Sequence, residues 1–349
     1  MMENFINCKN KVRKGFTNDI EEQIKFFDEC RLYTVEVGLT SFCDGGCSYC
    51  YAESVPENVK KIDDIKLHEI VDDISDLGAR QINWGGGEPL TRSNWFEIMA
   101  YAKEKGLSNL LMTNGAPLVN KKNLENVNEI VDLAHIHIDT LSEKVFKKTH
   151  YSRLEYLEKQ ILGLENLLDS GFCPDNVALA ITVTKPLIED ADYKETIDWA
   201  YDEKGISVIL YPYRAFGLAK KTDRLSPTFD EMREVYMYRN SKDGILSGPG
   251  FGTKFYCGTK CVINYHGDVM SCSMVLPTYV GSVHKRRFKE LFEENSDTLL
   301  CKELHEPKKI KGHCSKCEKN TFCWGCRAAA SLIAGDHNIS DPICWMRNS

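Results

Sequence analysis

The chain has 349 residues, 42% hydrophobic and 27% charged, with a formal net charge of −7, the balance of a globular protein with room for one large domain and a smaller one. Mild acidity without a basic run argues against a polyanion partner, so no nucleic acid is expected. The N-terminus lacks the apolar stretch of a signal peptide and no apolar run reaches bilayer-spanning length, so the expected location is cytoplasmic, with no membrane association.

In chain order, residues 33–39 (YTVEVGL) alternate and are rich in β-branched side chains, which predicts a strand. Residues 64–78 carry Leu67, Ile70, Val71, Ile74 and Leu77 at helical spacing, closed by Gly78. A strand over 80–84 ends in a glycine turn; a helix over 93–105 stops at Gly106; a strand is predicted at 107–113, a helix at 121–132 and a strand at 133–139. Leu154, Leu157, Ile161, Leu164 and Leu168 mark a long amphipathic helix that ends at Gly171. A strand over 176–184, a helix over 192–205 and a strand over 206–211 complete about six β-α units. Such alternation implies a parallel sheet, either open and doubly wound or an incomplete barrel, with chemistry at the C-terminal ends of the strands. After about residue 225 glycine, aromatic residues and cysteine dominate, and long periodic helices are not expected. SKDGILSGPGFG reads as a linker, which divides the chain into an N-terminal segment 1–32, an α/β domain 33–240 and a Cys-rich domain 250–349.

The 15 cysteines suggest metal rather than disulfides in a chain without secretion signals. Cys43-x3-Cys47-x2-Cys50 follows the first strand, and a loop this short can wrap three thiolates around one face of an iron–sulfur cubane. No fourth cysteine is near, so one iron is left open. Zinc prefers four closed ligands in paired loops, and unligated buried thiols are the other bland alternative. With Tyr49 inside the loop, the motif resembles the signature of the radical S-adenosylmethionine (SAM) superfamily, and Gly86-Gly87-Glu88-Pro89 after the second strand resembles its GGEP motif. Thr113-Asn114-Gly115, Ile138-Asp139 and the turn from Tyr213 to Gly217 are similar to later strand-end motifs of that family, over roughly residues 33–217. The family often has Ser two residues before this Asp, where His137 stands here.

The resemblance implies a partial (β/α)6 TIM-like barrel. It implies that the amine and carboxylate of SAM chelate the open iron, with Gly86, Gly87 and Glu88 at the methionyl amine, Asn114 facing SAM, Asp139 at the ribose and Arg214 at the carboxylate. Read on its own, Glu88 is equally a carboxylate at a helix N-terminus.

The C-terminal third continues with Cys257-x9-Gly267-x4-Cys272, Cys314-x2-Cys317-x5-Cys323-x2-Cys326 and Cys344. Paired C-x2-C loops are also a zinc-ribbon pattern. In this order they resemble the SPASM extension, an α+β module with two auxiliary 4Fe–4S clusters, though Trp324 and Gly325 give one residue fewer than usual between the fifth and sixth cysteines. By resemblance, Cys257, Cys272 and Cys326 hold the first auxiliary cluster; Cys314, Cys317, Cys323 and Cys344 hold the second. The first then lacks a ligand. The upstream position that supplies it in some members is Phe251, so either Cys261 serves or that iron is open to substrate. Cys8, Cys30, Cys173 and Cys301 follow no pattern and read as core or surface thiols.

The function implied is reductive cleavage of SAM to a 5′-deoxyadenosyl radical that abstracts hydrogen, with SAM and three 4Fe–4S clusters as cofactors and a flavodoxin- or ferredoxin-type reductant. The expected substrate is a ribosomally made peptide. Sulfatase maturation is weakened by Ser273, which stands where that family has an Asp base; oxidation of a tetrapyrrole side chain or cofactor precursor is a further alternative, and a non-catalytic zinc module the remote one. Only about thirty residues precede the first strand, so a leader peptide would need a separate binding protein or the barrel itself. Tyr211, Tyr213 and Phe216 are candidates to line a pocket or simply to pack the core.

Overall fold

In the computed structural model, residues 19–243, 253–306, 309–344 and 346 are described. The helices are α1 (Ile20–Asp28), α2 (Asp64–Asp76), α3 (Trp95–Glu104), α4 (Lys121–Ile130), α5 (Glu143–Thr149), α6 (Leu154–Asp169), α7 (Lys185–Glu189), α8 (Asp192–Asp198), α9 (Phe229–Asp243), α10 (Lys254–Cys257), α11 (Phe288–Leu299) and α12 (Arg327–Ala334). The strands are β1 (Thr34–Thr40), β2 (Gln81–Gly86), β3 (Ser108–Thr113), β4 (Leu133–His137), β5 (Val177–Val183), β6 (Ser207–Pro212), β7 (Lys260–Ile263), β8 (Asp268–Met270) and β9 (Gly281–Ser282). Side-chain caps fix several helix starts: Asp63 accepts from Lys66 N–H, Asn120 from Lys122 and Asn123 N–H, and Ser142 from Val145 N–H.

Strands β1 to β6 pair in parallel with their sequence neighbours, and the sheet order is β6-β5-β4-β3-β2-β1-β7-β8-β9. Consecutive parallel neighbours joined by right-handed crossovers put the helices on one face, which curls the sheet into a partial barrel rather than a doubly wound sheet. On the helix-facing side Val35, Val37, Leu39, Ile82, Trp84, Leu111, Ile136, Leu179 and Ile181 join Leu67, Ile70, Ile98, Val127 and Leu164 in one apolar core. Each such fully buried side chain stabilises by about 1.5–3 kcal/mol against exposure.

The C-terminal third is not a separate layer. Strand β7 pairs in parallel with β1, Thr34 opposite Lys260, and β8 and β9 follow antiparallel. Helix α11 packs near α2 through Asp73, whose buried carboxylate accepts from Arg287 Nη2 at 2.6 Å, Arg287 Nε at 3.1 Å and Lys289 N–H at 3.2 Å.

The expectation that helices fade after residue 225 fails: α9, α11 and α12 lie there. Helix α9 hides from a periodicity reading because its inward face spends two positions on polar side chains, Arg239 and Asn240, beside Met232, Val235 and Tyr236. The barrel boundary placed at residue 240 falls inside this helix, and most of the expected linker lies outside the described residues. Among the described residues no helix is long and apolar enough to cross a membrane.

Candidate cluster and cofactor site

The loop after β1 is pinned from two sides. Ser48 N–H and its hydroxyl both donate to the Thr149 carbonyl, and Ser152 Oγ donates to the Gly45 carbonyl at 2.7 Å. From the β6 side, Leu218 N–H donates to the Cys50 carbonyl, and a Cβ on Gly217 (φ +60°) would stand 2.4 Å from the Tyr51 carbonyl oxygen. Only glycine permits that approach.

The loop brings Cys43, Cys47 and Cys50 together. Burial, then Glu88 and Cys50, pushes the Cys43 thiol up to about 12. Burial and the neighbouring Cys43 and Cys50 raise Cys47 further. Buried and crowded, Cys43 and Cys47 are poor thiolates by themselves. They become good ligands only when a positive cluster core supplies the charge, which is the donor set an iron–sulfur site requires. Cys43 Sγ accepts from Gly45 N–H at 3.4 Å and stands 4.0 Å from Asn114 Nδ2.

The glycine turn after β2 serves this loop through its backbone. Gly87 N–H donates to the Thr40 carbonyl at 2.6 Å and Glu88 N–H to the Phe42 carbonyl at 2.7 Å; a Cβ on Gly87 would lie 2.1 Å from that Phe42 oxygen. Glu88 is fully buried. Its Oε1 accepts from Leu90 N–H and Thr113 Oγ1, and its Oε2 from Asn114 N–H. Burial lifts it to about 7 against these three donors. The carboxylate therefore ties the end of β2 to the end of β3, at the start of a short 3-10 turn (Pro89–Thr91).

Asn114 closes an Asx turn on Ala116 N–H with its Oδ1, leaving Nδ2 toward Cys43. Asp139, just past β4, accepts from Thr182 N–H at 2.6 Å and from the Tyr49 hydroxyl, so it links the cluster loop to β5. Burial lifts Asp139 to about 8. His137 stands 4.0 Å from Cys47 Sγ and 3.3 Å from the Tyr49 hydroxyl; burial depresses it to about 4 and keeps the ring neutral. The ligating atoms of Cys47, His137 and His150 lie within 4.8 Å of one another. His150, stacked on Phe146, carries no sequence signal.

Arg214 does not join this group. Its Nη1 donates to the Pro212 carbonyl, and its charge is drawn by Cys326 and Asp341 of the C-terminal third.

The later cysteines form two groups. Cys323 and Cys344 each feel the charge of Cys314, and Cys323 that of Cys317, which gathers the expected four. Cys257 feels Cys272, Cys326 and Cys301. Cys261 stays apart. It alternates with Lys260 along β7, lies opposite Val35, and is fully buried in the helix-facing core. Lys260 occupies the other face, beside Glu36, Cys272 and Cys257. Strand alternation thus turns Cys261 away from the thiols it was expected to complete.

A cavity of about 450 Å³ opens between the barrel mouth and the C-terminal third. Its lining includes Glu36, Tyr51, Glu53, Lys220, Asp268 and Ser273, with Phe216 and Tyr265. Of the aromatic candidates, Phe216 reaches this cavity; Tyr213 packs in the core and donates to the Ala219 and Thr222 carbonyls.

A partial parallel barrel with three thiols after its first strand and a glycine turn closing on them defines a radical SAM fold. Residues 37–200 match the Radical SAM superfamily, and the chain carries a radical SAM domain, which implies SAM and a 4Fe–4S cluster. An AdoMet-dependent heme synthase of Methanosarcina barkeri is 24% identical, over 88% of this chain and 95% of the relative. The mycofactocin maturase MftC of Mycolicibacterium smegmatis is 24% identical, over 88% of this chain and 81% of its own. The crystal structure of Streptococcus suis SuiB bound to S-adenosylmethionine superposes with a TM-score of 0.65 at 15% identity, covering 93% of this chain and 80% of that one.

Proposed function

We propose that the chain is a radical SAM enzyme with three 4Fe–4S clusters that takes a hydrogen atom from a side chain of a ribosomally made peptide held in the cavity between the barrel and a SPASM-like C-terminal domain. When bound, the cluster at Cys43, Cys47 and Cys50 supplies the electron that cleaves SAM reductively, and hydrogen abstraction follows from that cleavage. The protein's own groups bind, orient and exclude water. Gly87 and Glu88 draw the end of β2 onto the cluster loop, Asn114 directs its amide there, and Asp139 holds Tyr49 at the loop's edge. Glu88 Oε2 accepts one hydrogen bond, from Asn114 N–H, which fixes the strand ends around the SAM-binding side of the loop.

The observation that carries the substrate class is the sign of the cavity. Among its described lining residues Lys220 is the one cation, against Glu53 and Asp268, while the third carboxylate, Glu36, is already paired with Lys260 in the wall. A tetrapyrrole bearing several carboxylates meets the wrong charge there, whereas a neutral or cationic peptide segment does not. SuiB has been solved bound to its precursor peptide SuiA, which agrees with this reading. The heme-synthase relatives favour the tetrapyrrole alternative, so the test includes it. A flavodoxin- or ferredoxin-type protein supplies the electron.

The experiment is anaerobic incubation with SAM, reductant and either precursor peptides encoded beside this gene or an iron coproporphyrin, reading 5′-deoxyadenosine and substrate mass. A peptide losing hydrogen supports the reading; turnover of the porphyrin alone overturns it. Zinc without sulfide in the purified protein would overturn the radical chemistry altogether.

A further inference from the structure

We propose that Cys301 is the fourth thiolate of the first auxiliary cluster, completing Cys257, Cys272 and Cys326, so that this cluster has no iron open to substrate. The inference rests on the three-cluster reading above.

Cys301 follows α11 and comes from no C-x2-C loop, yet its side chain is delivered to the same place as the other three. It packs with Cys257 on one apolar cluster of Phe27, Leu304, Ile310 and Trp324. Its thiol lies near Ser271, whose chain neighbour is Cys272, and it feels the charge of Cys272.

The charges around the group make a second, independent case. Arg327 is 7% exposed, and its Nε has no hydrogen-bond partner although its other nitrogens donate to the Trp324, His337 and Ile339 carbonyls. It stands close enough to Cys301 to act on that thiol's charge. Arg214 Nε and Nη2 likewise find no oxygen acceptor, and its side chain bonds toward Cys326. Lys260 stands beside Cys257 and Cys272. Orphaned buried guanidinium donors require acceptors. A cubane core of about +2 with four thiolates carries about −2, and its sulfurs accept hydrogen bonds. Cys261, the alternative, is on the opposite face of β7. With the fourth position filled, substrate is held by the cavity's side chains and not by iron.

The test uses the full chain, reconstituted anaerobically, as wild type, Cys301→Ala, Cys301→Ser and Cys261→Ala. Iron and sulfide are counted, the reduced clusters are recorded by electron paramagnetic resonance, and isotope-labelled cyanide probes open iron before and after SAM is added. Wild type is expected to hold about twelve irons, with its one cyanide-binding iron blocked by SAM. Cys301→Ala is expected either to lose about a third of its iron or to gain a cyanide-binding iron that SAM does not block. Cys301→Ser is expected to keep its iron with an altered resonance, and Cys261→Ala to match wild type. The proposal is overturned by a Cys301→Ala protein with full iron, unchanged resonance and no new cyanide signal, or by cyanide binding to SAM-saturated wild type. Wild type holding only about four irons would instead overturn the three-cluster reading and this inference with it.

Discussion

Lys260→Met tests whether the ion pair on the inner barrel wall holds β1 to β7. Lys260 Nζ lies 2.9 Å from Glu36 Oε1, with side-chain exposures of 4% and 18%. The Tyr256 hydroxyl donates to the same carboxylate and accepts from Asn83 Nδ2. Methionine keeps most of the lysine's apolar length and removes its charge. Breaking a fully buried pair costs about 3–5 kcal/mol; because Glu36 borders the cavity and keeps the Tyr256 hydroxyl, about 2–3 kcal/mol is expected here. At about 2.1 cal/mol/K per residue of unfolding entropy, a chain this long shifts by about 1.4 °C per kcal/mol, so the midpoint should fall by about 3–4 °C. The assay is anaerobic thermal unfolding of the cluster-loaded protein followed by circular dichroism. Glu36→Gln added to Lys260→Met should recover at least half of the loss, since position 36 then carries no unpaired charge. A single variant melting within about 1 °C of wild type, or a double variant no better than the single, would refute the reasoning.

Three further substitutions bear on the cluster loop and the domain contact. Gly87→Ala places a Cβ 2.1 Å from the Phe42 carbonyl oxygen; the loop should withdraw and the reconstituted protein should hold about four irons fewer than wild type, by chemical iron assay. Tyr49→Phe leaves Asp139 with the Thr182 N–H and the more distant His137 ring, and should lower stability by about 1–2 kcal/mol in anaerobic urea unfolding. Arg287→Ala removes two of the three donors to the buried Asp73 carboxylate. Because Arg287 is itself half-exposed, about 1–2 kcal/mol is expected rather than the full cost of a buried pair, measured by the same unfolding, with iron content unchanged.

The six barrel strands begin and end within two residues of where alternation and glycine place them. Parallel strands buried on both faces write themselves as short apolar runs, and the cysteine and glycine motifs fall at their ends because β-α connections are short. The grouping of the later thiols was legible where they come in C-x2-C loops, since spacing alone fixes such thiols near one another. The approach of Cys301 to Cys257 and Cys272 was not, because a residue reached through α11 carries no spacing signal. Cys261 misled for the opposite reason: nearness in sequence to Cys257 says nothing about which face of β7 a side chain takes. Arg214 was placed by motif at the SAM carboxylate, and the sequence holds no trace of the Cys326 and Asp341 side chains that draw it instead. The polar inner faces of α9 defeated periodicity in the same way.

The parallel pairing of β7 with β1 has an architectural consequence. Strand β1 carries the catalytic loop at one end and is flanked on its open side by the first strand of the Cys-rich third. Deleting that third would strip β1 of a neighbour and expose its backbone donors and acceptors along the sheet's rim, an invitation to aggregate. The two modules therefore share a hydrogen-bonded seam. A chimera that grafts this barrel onto a foreign tail must supply a strand in register with Thr34–Val37, whatever metal the tail carries.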